Sequence, residues 1–327
     1  MKKILGVAVA TMAAFTGVAS AGVTRNMENP LFIPESGQFV SKTGLGLMYK
    51  VADDTDAMKQ KHHEGAVEFP VWRFTEDFAF GITDRLNTYV SLGWTQNDDI
   101  DRKGMHRGRI GLDYRLVETL DNFVWDIYGE GYLSGITPMK GSFDQTTGFK
   151  YDNFSNGRWG LVAGTKIGKR WSAFTASLFA EYLQTFGNHN NKIKVNLPTV
   201  DEISVDLKST KEITVGTNAF WQINDDWSFG GGFRFVEHTD NGVKSIHTDL
   251  SSANPMVATG LRNMAAGLTD MDDGWDEYIL SAVIANQITD SFQIALVGEY
   301  TFDDAHRNSA NGTDVKAEVS VRFNLAF

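Results

Sequence analysis

The chain has no cysteine, only six prolines, and no apolar run after residue 18 that approaches the roughly 20 residues a membrane-spanning helix needs. The first absence excludes a disulfide framework, so 327 residues must be held by a large core or by strand pairing that closes on itself. The third excludes a helical membrane protein but not a transmembrane barrel, whose alternating apolar and polar residues average out in hydropathy. A surplus of base is also missing. The formal charge is −11, which argues against nucleic acid as a partner, since phosphate binding wants a basic face. The sequence contains no nucleotide-binding motif and no feature that calls for a cofactor. Thirty-two glycines and 12% aromatics, with so little proline, suit many strands joined by turns.

The first 21 residues read as an export leader. Lys2 and Lys3 precede an apolar stretch from Ile4 to Val18, and Ala19-Ser20-Ala21 supplies the small-x-small pattern of a cleavage site. Removing the two lysines leaves 28 basic residues against 41 acidic, a formal charge of −13. Residues 22–36 follow, with Asn29-Pro30-Leu31-Phe32-Ile33-Pro34 reading as an extended segment. It is either a small plug in the lower lumen or an ordered periplasmic lead-in, and the lead-in is the favoured reading.

From 37 to 327 an apolar period of two recurs, the mark of a half-buried strand. The clearest case is the last segment. Val315, Ala317, Val319, Val321, Phe323, Leu325 and Phe327 share one face, and Asp314, Lys316, Glu318, Ser320, Arg322 and Asn324 share the other. At about 3.3 Å per residue, seven outward positions cover a tilted crossing of a thin outer membrane. Twelve such strands are expected: 38–50, 65–82, 86–96, 106–117, 122–134, 157–168, 171–186, 210–223, 227–238, 275–288, 291–303 and 313–327. Tight turns at 83–85, 118–121, 168–170, 224–226 and 289–291 alternate with longer polar segments at 51–63, 97–105, 135–156, 187–208, 239–273 and 304–312. Six long and five short connections are what twelve up-and-down strands require. All eight tryptophans lie near a strand end or a turn, as interfacial girdles demand. Trp125, Trp171, Trp221 and Trp227 would form the lower girdle, and Trp94, Trp159 and Trp275 the upper. The segment 65–82 resists the pattern, because Glu76 shares a face with Phe74, Phe78, Phe80 and Ile82, while Val67, Phe69 and Val71 have the opposite parity.

The ending Val321, Phe323, Leu325, Phe327 resembles the C-terminal signature of bacterial outer-membrane barrels, which the assembly machinery reads. Phe80-Gly81-Ile82-Thr83-Asp84-Arg85-Leu86 resembles the periplasmic hairpins of porin-like and hydrophobic-compound transporter barrels. The resemblance to the channel and transporter class implies an all-β, antiparallel, up-and-down transmembrane barrel in the bacterial outer membrane. Its implied partners are lipid, lipopolysaccharide, the barrel-assembly machinery (through Phe323, Leu325 and Phe327) and a small solute.

If the apolar face meets lipid, the other face lines a lumen. Arg107, Arg109, Asp113, Arg115, Asp126, Glu130, Arg158, Arg234, Glu299, Lys316, Glu318 and Arg322 are the expected pore-lining residues, with Arg109 roughly opposite Glu130. Such a wall is either a cross-linked interior or a wet charged pore, and a porin-like channel for small polar or charged solutes is the favoured reading. A fatty-acid-type transporter for hydrophobic compounds is the alternative, followed by a non-conducting structural or adhesive barrel. Inward small residues, Gly44, Gly46, Ser91, Gly93, Gly111, Gly160, Gly164, Gly216, Gly230 and Gly232, suggest open space inside.

Catalysis is not expected. Ser155-Asn156-Gly157-Arg158 resembles the nucleophile motif of outer-membrane phospholipase A, but Asn153 stands where that motif has its histidine, so no base is placed to activate Ser155. His62-His63 lacks a further ligand at fixed spacing, and the seven histidines read as solvated loop residues. The acidic clusters at 53–56, 98–101 and 270–273 match no calcium loop, so no metal site is expected. In 239–273, Asn254-Pro255 could start a short helix, forming a constriction or an adhesive surface.

Overall fold

The computed structural model describes residues 26–49, 71–97, 102–133, 138, 140–144, 148–151, 157–187, 191–197, 200–239, 243–247, 259–260, 275–302 and 317–327. They hold seventeen strands: β1 (Phe39–Tyr49), β2 (Val71–Thr83), β3 (Leu86–Asn97), β4 (Arg102–Glu118), β5 (Phe123–Tyr132), β6 (Lys140–Asp144), β7 (Gly148–Tyr151), β8 (Arg158–Trp171), β9 (Phe174–Gly187), β10 (Asn191–Leu197), β11 (Val200–Leu207), β12 (Lys211–Gln222), β13 (Trp227–His238), β14 (Val243–His247), β15 (Trp275–Thr289), β16 (Phe292–Phe302) and β17 (Ala317–Ala326). Twelve of them close into one barrel, in the order β1-β2-β3-β4-β5-β8-β9-β12-β13-β15-β16-β17 and back to β1. The seam is unbroken antiparallel pairing from Val40 opposite Ala326 to Tyr49 opposite Ala317, and Phe327 exchanges both backbone hydrogen bonds with Phe39 at 2.8 and 3.0 Å. A closed sheet leaves no edge, so every barrel strand has its backbone partners on both sides, and no helix among the described residues is long and apolar enough to cross a membrane.

The period of two decides which side chains face out. Along β4, Ile110, Leu112, Tyr114 and Leu116 are exposed on the wall, while Gly111 and Arg115 are buried inside. Seven tryptophans, Trp72, Trp94, Trp125, Trp159, Trp171, Trp221 and Trp227, are solvent-exposed on the outer surface, and the side chain of Trp275 lies outside the described residues. An exposed indole on a soluble protein would be wasteful, but at a membrane interface it rests between acyl chains and headgroups. Phe323, Leu325 and Phe327 stand on the outward parity of the last strand, and the Phe39 ring lies 6.3 Å from that of Phe327.

The short turns are built by side chains that accept backbone N–H groups left without a ladder partner. Thr83 Oγ1 accepts from Arg85 and Leu86 at 3.2 and 3.0 Å, Thr119 Oγ1 from Phe123 at 3.1 Å, and Asn224 Oδ1 from Asp226 and Trp227 at 3.0 and 2.8 Å. In the turn after β4, hydrogen bonds from Lys169 and Thr119 draw the exposed Asp121 carboxyl down to about 2. The turn expected at 168–170 sits at Ser172 and Ala173 instead. Lys169 and Arg170 look like turn residues but stay in the ladder opposite Ala176 and Thr175, and Ser172 takes the positive φ of 31°.

Three segments expected as loops, 135–156, 187–208 and 239–273, contribute β6, β7, β10, β11 and β14 to a second, five-stranded sheet. Its alternation is local: Asn191, Ile193 and Val195 are buried while Lys192 and Lys194 are exposed. Runs this short do not stand out from polar surroundings. The leader 1–21, the segment 65–70, the acidic clusters, Asn254-Pro255, Ser155, Lys316 and six of the seven histidine side chains (His62, His63, His106, His189, His247 and His306) lie outside the described residues.

Glu76 is resolved as an exception on the outer wall. Its neighbours Arg73, Thr75 and Asp77 line the lumen, so Glu76 points the other way, toward the outside of the barrel. It is nonetheless only 5% exposed, because Ser41 and Thr43 of β1 donate hydrogen bonds to its two carboxyl oxygens, each at 2.7 Å. Two outward hydroxyls on β1 and one carboxyl on β2 form a polar clasp that hides itself, as a polar group in hydrocarbon must.

Candidate functional site: a charged lumen with an occupied floor

The floor is formed by residues 26–36. This segment is not extended, as the two prolines suggest, but wound into consecutive turns: Asn26 Oδ1 accepts from Glu28 N at 3.0 Å, Asn29 Oδ1 from Leu31 N at 2.9 Å, and Asn29 O from Phe32 N at 3.0 Å. From inside that coil it reaches the barrel wall on many sides. Asn26 donates to Gln222 at 3.0 Å and Ser228 at 2.8 Å, and accepts from Gln293 at 2.9 Å. Asn29 donates to Thr175 at 3.0 Å, and the Leu31 carbonyl accepts from Arg115 at 2.7 Å and Arg170 at 2.6 Å. Glu28 accepts from Arg322 at 3.3 Å and Asn324 at 2.8 Å, and Lys42 donates to the Met27 carbonyl at 2.5 Å. These partners belong to eight barrel strands, β1, β4, β8, β9, β12, β13, β16 and β17, so the segment crosses the lumen rather than hanging below it. Met27 packs with Val40 and Ala326 at the seam, and Leu31 is fully buried.

Glu28 is the electrostatic anchor of this floor. Burial pushes its carboxyl up, but the Lys42 and Arg322 charges, with hydrogen bonds from Asn324 and Arg322, outweigh that and hold it below the usual carboxylate range. Arg115 and Asp126 lie at another part of the floor, next to Leu31, paired at 2.9 and 3.3 Å, with side chains that expose nothing. Both were expected to line a pore; here they are sealed beneath the coil. Asp113 faces the same region from β4.

Above the floor a cavity of about 350 Å³ remains in the lumen. Arg73, Arg109, Arg234 and Arg322 line it together with Asp77, Glu212, Glu299 and Glu318. Arg109 joins Glu130 at 3.0 Å to Glu181 at 3.1 Å, tying β4 to β5 and β9. The Arg109–Glu130 pair is diagonal: a bulge between Arg115 and Val117 leaves Glu130 opposite Gly111 and puts Tyr132 opposite Arg109. Arg234 grips Glu299 with two parallel bonds of 3.1 and 3.2 Å, and Arg73 pairs with Glu318. At the outer end, His238 lies between Glu212 at 3.2 Å and Glu277 at 3.8 Å, packed inside rather than solvated. Arg158 is also buried there, donating to the Lys208 carbonyl at 3.0 Å, and the Arg107 side chain lies outside the described residues.

The inward glycines do not leave open wall. Tyr89 lies over Gly111, Tyr128 over Gly164, Phe179 over Gly216 and Asn218 over Gly232, each a cross-strand neighbour filling the place of a missing side chain. Arg73 and Asp77 escaped the sequence reading because Glu76 masked the parity of β2. Admitting one polar exception on the outer face would have exposed Arg73, Thr75 and Asp77 as a polar inner row.

No protein-family model and no curated protein matches this chain. Among solved structures, the COG4313 outer membrane channel from Pseudomonas putida F1 superposes with a TM-score of 0.54 at 10% identity, covering 95% of this chain and 100% of that one. The NanC porin superposes with a TM-score of 0.45 at 9% identity, over 88% and 98%. Closure of twelve antiparallel strands, an apolar outer wall with exposed tryptophans and the first of these likenesses agree: this chain has the fold of a bacterial outer-membrane β-barrel.

Proposed function

We propose that the protein is an outer-membrane channel, exported by the leader 1–21 and inserted through its terminal strand, for passive passage of small polar or charged solutes. The carrying observation is the lumen cavity, where four arginines and four carboxylates face one space of about 350 Å³. A wall of fixed, paired charges suits hydrated solutes and sets charge preference without a chemical step. The coil 26–36 narrows the exit, so passage goes around it or waits for it to shift. The likeness to a known outer-membrane channel supports this reading at the level of fold.

Refolded protein in planar bilayers is expected to give stable conductance steps, and Arg109→Glu to shift ion selectivity toward cations. Deleting residues 26–36 is expected to raise the step size. Silence from both the full chain and the deletion would overturn the channel reading in favour of a structural barrel. Saturable uptake of long-chain fatty acid with no ion conductance would favour the transporter for hydrophobic compounds.

A further inference from the structure

The lumen is not uniformly polar. At mid-depth β1, β2, β3, β4, β5 and β17 present charged, hydroxyl, tyrosine or glycine positions inward. The opposite arc carries, beside Glu181, Glu212, Arg234 and Glu299, buried aliphatic residues: Val162 on β8, Leu183 on β9, Val236 on β13, Ile279 on β15 and Val297 on β16. Leu183 and Val297 line the same cavity as the arginines. An inner wall adapted only to ions and water has no use for aliphatic side chains there, since they offer a hydrated solute nothing.

The polar side of the cavity has unused capacity of one kind. Its carboxylates are occupied: Glu318 by Arg73, Glu299 by both nitrogens of Arg234, Asp77 by the Ser91 hydroxyl and Glu212 by His238. Its guanidinium groups are paired too, but not to capacity. Among the described residues Arg73 and Arg109 each bond through Nη1 alone, which leaves the Nη2 hydrogens of both without an acceptor beside the cavity; their Nε–H groups also meet no acceptor but are buried. A guanidinium carries five donors, and the natural complement of a spare pair is a carboxylate. Arg109 is further held with its guanidinium carbon 6.0 Å from the centre of the Tyr132 ring, which fixes its plane beside the cavity.

Resting on the channel reading, we infer that this cavity selects small amphipathic organic acids, with the carboxylate toward Arg73 and Arg109 and the apolar body against Leu183 and Val297. The cavity of about 350 Å³ is at the small end of the range for small-molecule pockets, so it takes acids from short aliphatic chains up to one or two rings.

The test is calorimetric titration of the full barrel, refolded in amphipol, with acetate, propanoate, butanoate and butylammonium. Affinity is expected to rise roughly twofold for each added methylene, half the gain of complete burial, and butylammonium is expected to bind at least tenfold more weakly than butanoate. Val297→Thr keeps shape and fold and is expected to flatten the chain-length series, while Arg73→Gln, checked for folding by its heat-dependent gel mobility, is expected to remove the preference for the anion. A flat series, or butylammonium binding as well as butanoate, overturns the inference. Conductance without acid binding would sink this inference alone, whereas acid binding by a barrel that never conducts would sink the channel reading and leave the site standing.

Discussion

The Tyr128 ring lies across Gly164 on the neighbouring strand, so close that a β-carbon at that glycine would come within 2.1 Å of the ring. Its hydroxyl then reaches the Glu181 carboxylate at 3.2 Å, and Glu181 holds Arg109. The missing side chain of a glycine thus positions a phenol, a carboxylate and a guanidinium in succession. Gly164→Ala should lift the ring into the lumen and break that order. We expect a loss of about 1–3 kcal/mol in denaturant unfolding, the usual range for overpacking, with a smaller conductance step. Gly129, whose added β-carbon would meet nothing closer than 3.8 Å, is the matched control for the same substitution.

Arg115 and Asp126 make the most deeply enclosed ion pair of the floor. Arg115→Ala should leave Asp126 buried without its main partner, a change that typically costs about 3–5 kcal/mol. It also removes a donor from the Leu31 carbonyl, so limited proteolysis should cut residues 26–36 sooner than in the parent chain. Unchanged stability and unchanged cleavage would show that the pair holds neither the wall nor the coil.

The floor should loosen in acid. The Glu28 carboxyl is held below its unfolded value, so the folded, docked state binds fewer protons there than the released one. Its contribution is complete above the ordinary glutamate value of about 4.3 and is lost as pH falls through the lower, docked value. Protease accessibility of 26–36 should therefore rise below about pH 4, and Glu28→Gln should show the acid behaviour already at neutral pH. A parent chain equally resistant at pH 3 and pH 7 would contradict this assignment.

The outer-wall clasp makes a prediction by comparison. Glu76→Ala leaves the Ser41 and Thr43 hydroxyls facing lipid without their acceptor and should destabilise by about 1–3 kcal/mol. Glu76→Gln keeps an acceptor and should cost less. The triple change Ser41→Ala, Thr43→Val, Glu76→Leu removes every partner together and should recover much of the loss, measured by urea unfolding from lipid vesicles.

How far the sequence could be read depended on the length of each regular run. β17, with its outward Val319, Val321, Phe323 and Leu325, was legible because ten residues repeat one rule. The outer sheet was not, since five residues such as Lys140–Asp144 alternate too briefly to be told from polar loop. Parity alone puts Arg109, Arg234, Glu299, Glu318 and Arg322 on the inner face, where they line the cavity. Arg73 and Asp77 were hidden by a single glutamate on the wrong face, and His238 was misread because a strand-end residue looks like a loop residue until its neighbours Glu212 and Glu277 are placed.

Local chemistry along the chain determined the number of crossings, the side of the wall each residue faces and the positions of most turns, because a two-residue period needs no knowledge of distant partners. Only the closed tertiary structure decided what the interior contains. Whether Asn26 meets Gln293, or Tyr128 fills the hollow at Gly164, depends on pairing register and on a coil entering from residues far away in sequence. Those contacts depend on bulges and on closure of the ring, and neither leaves a local mark in the order of residues.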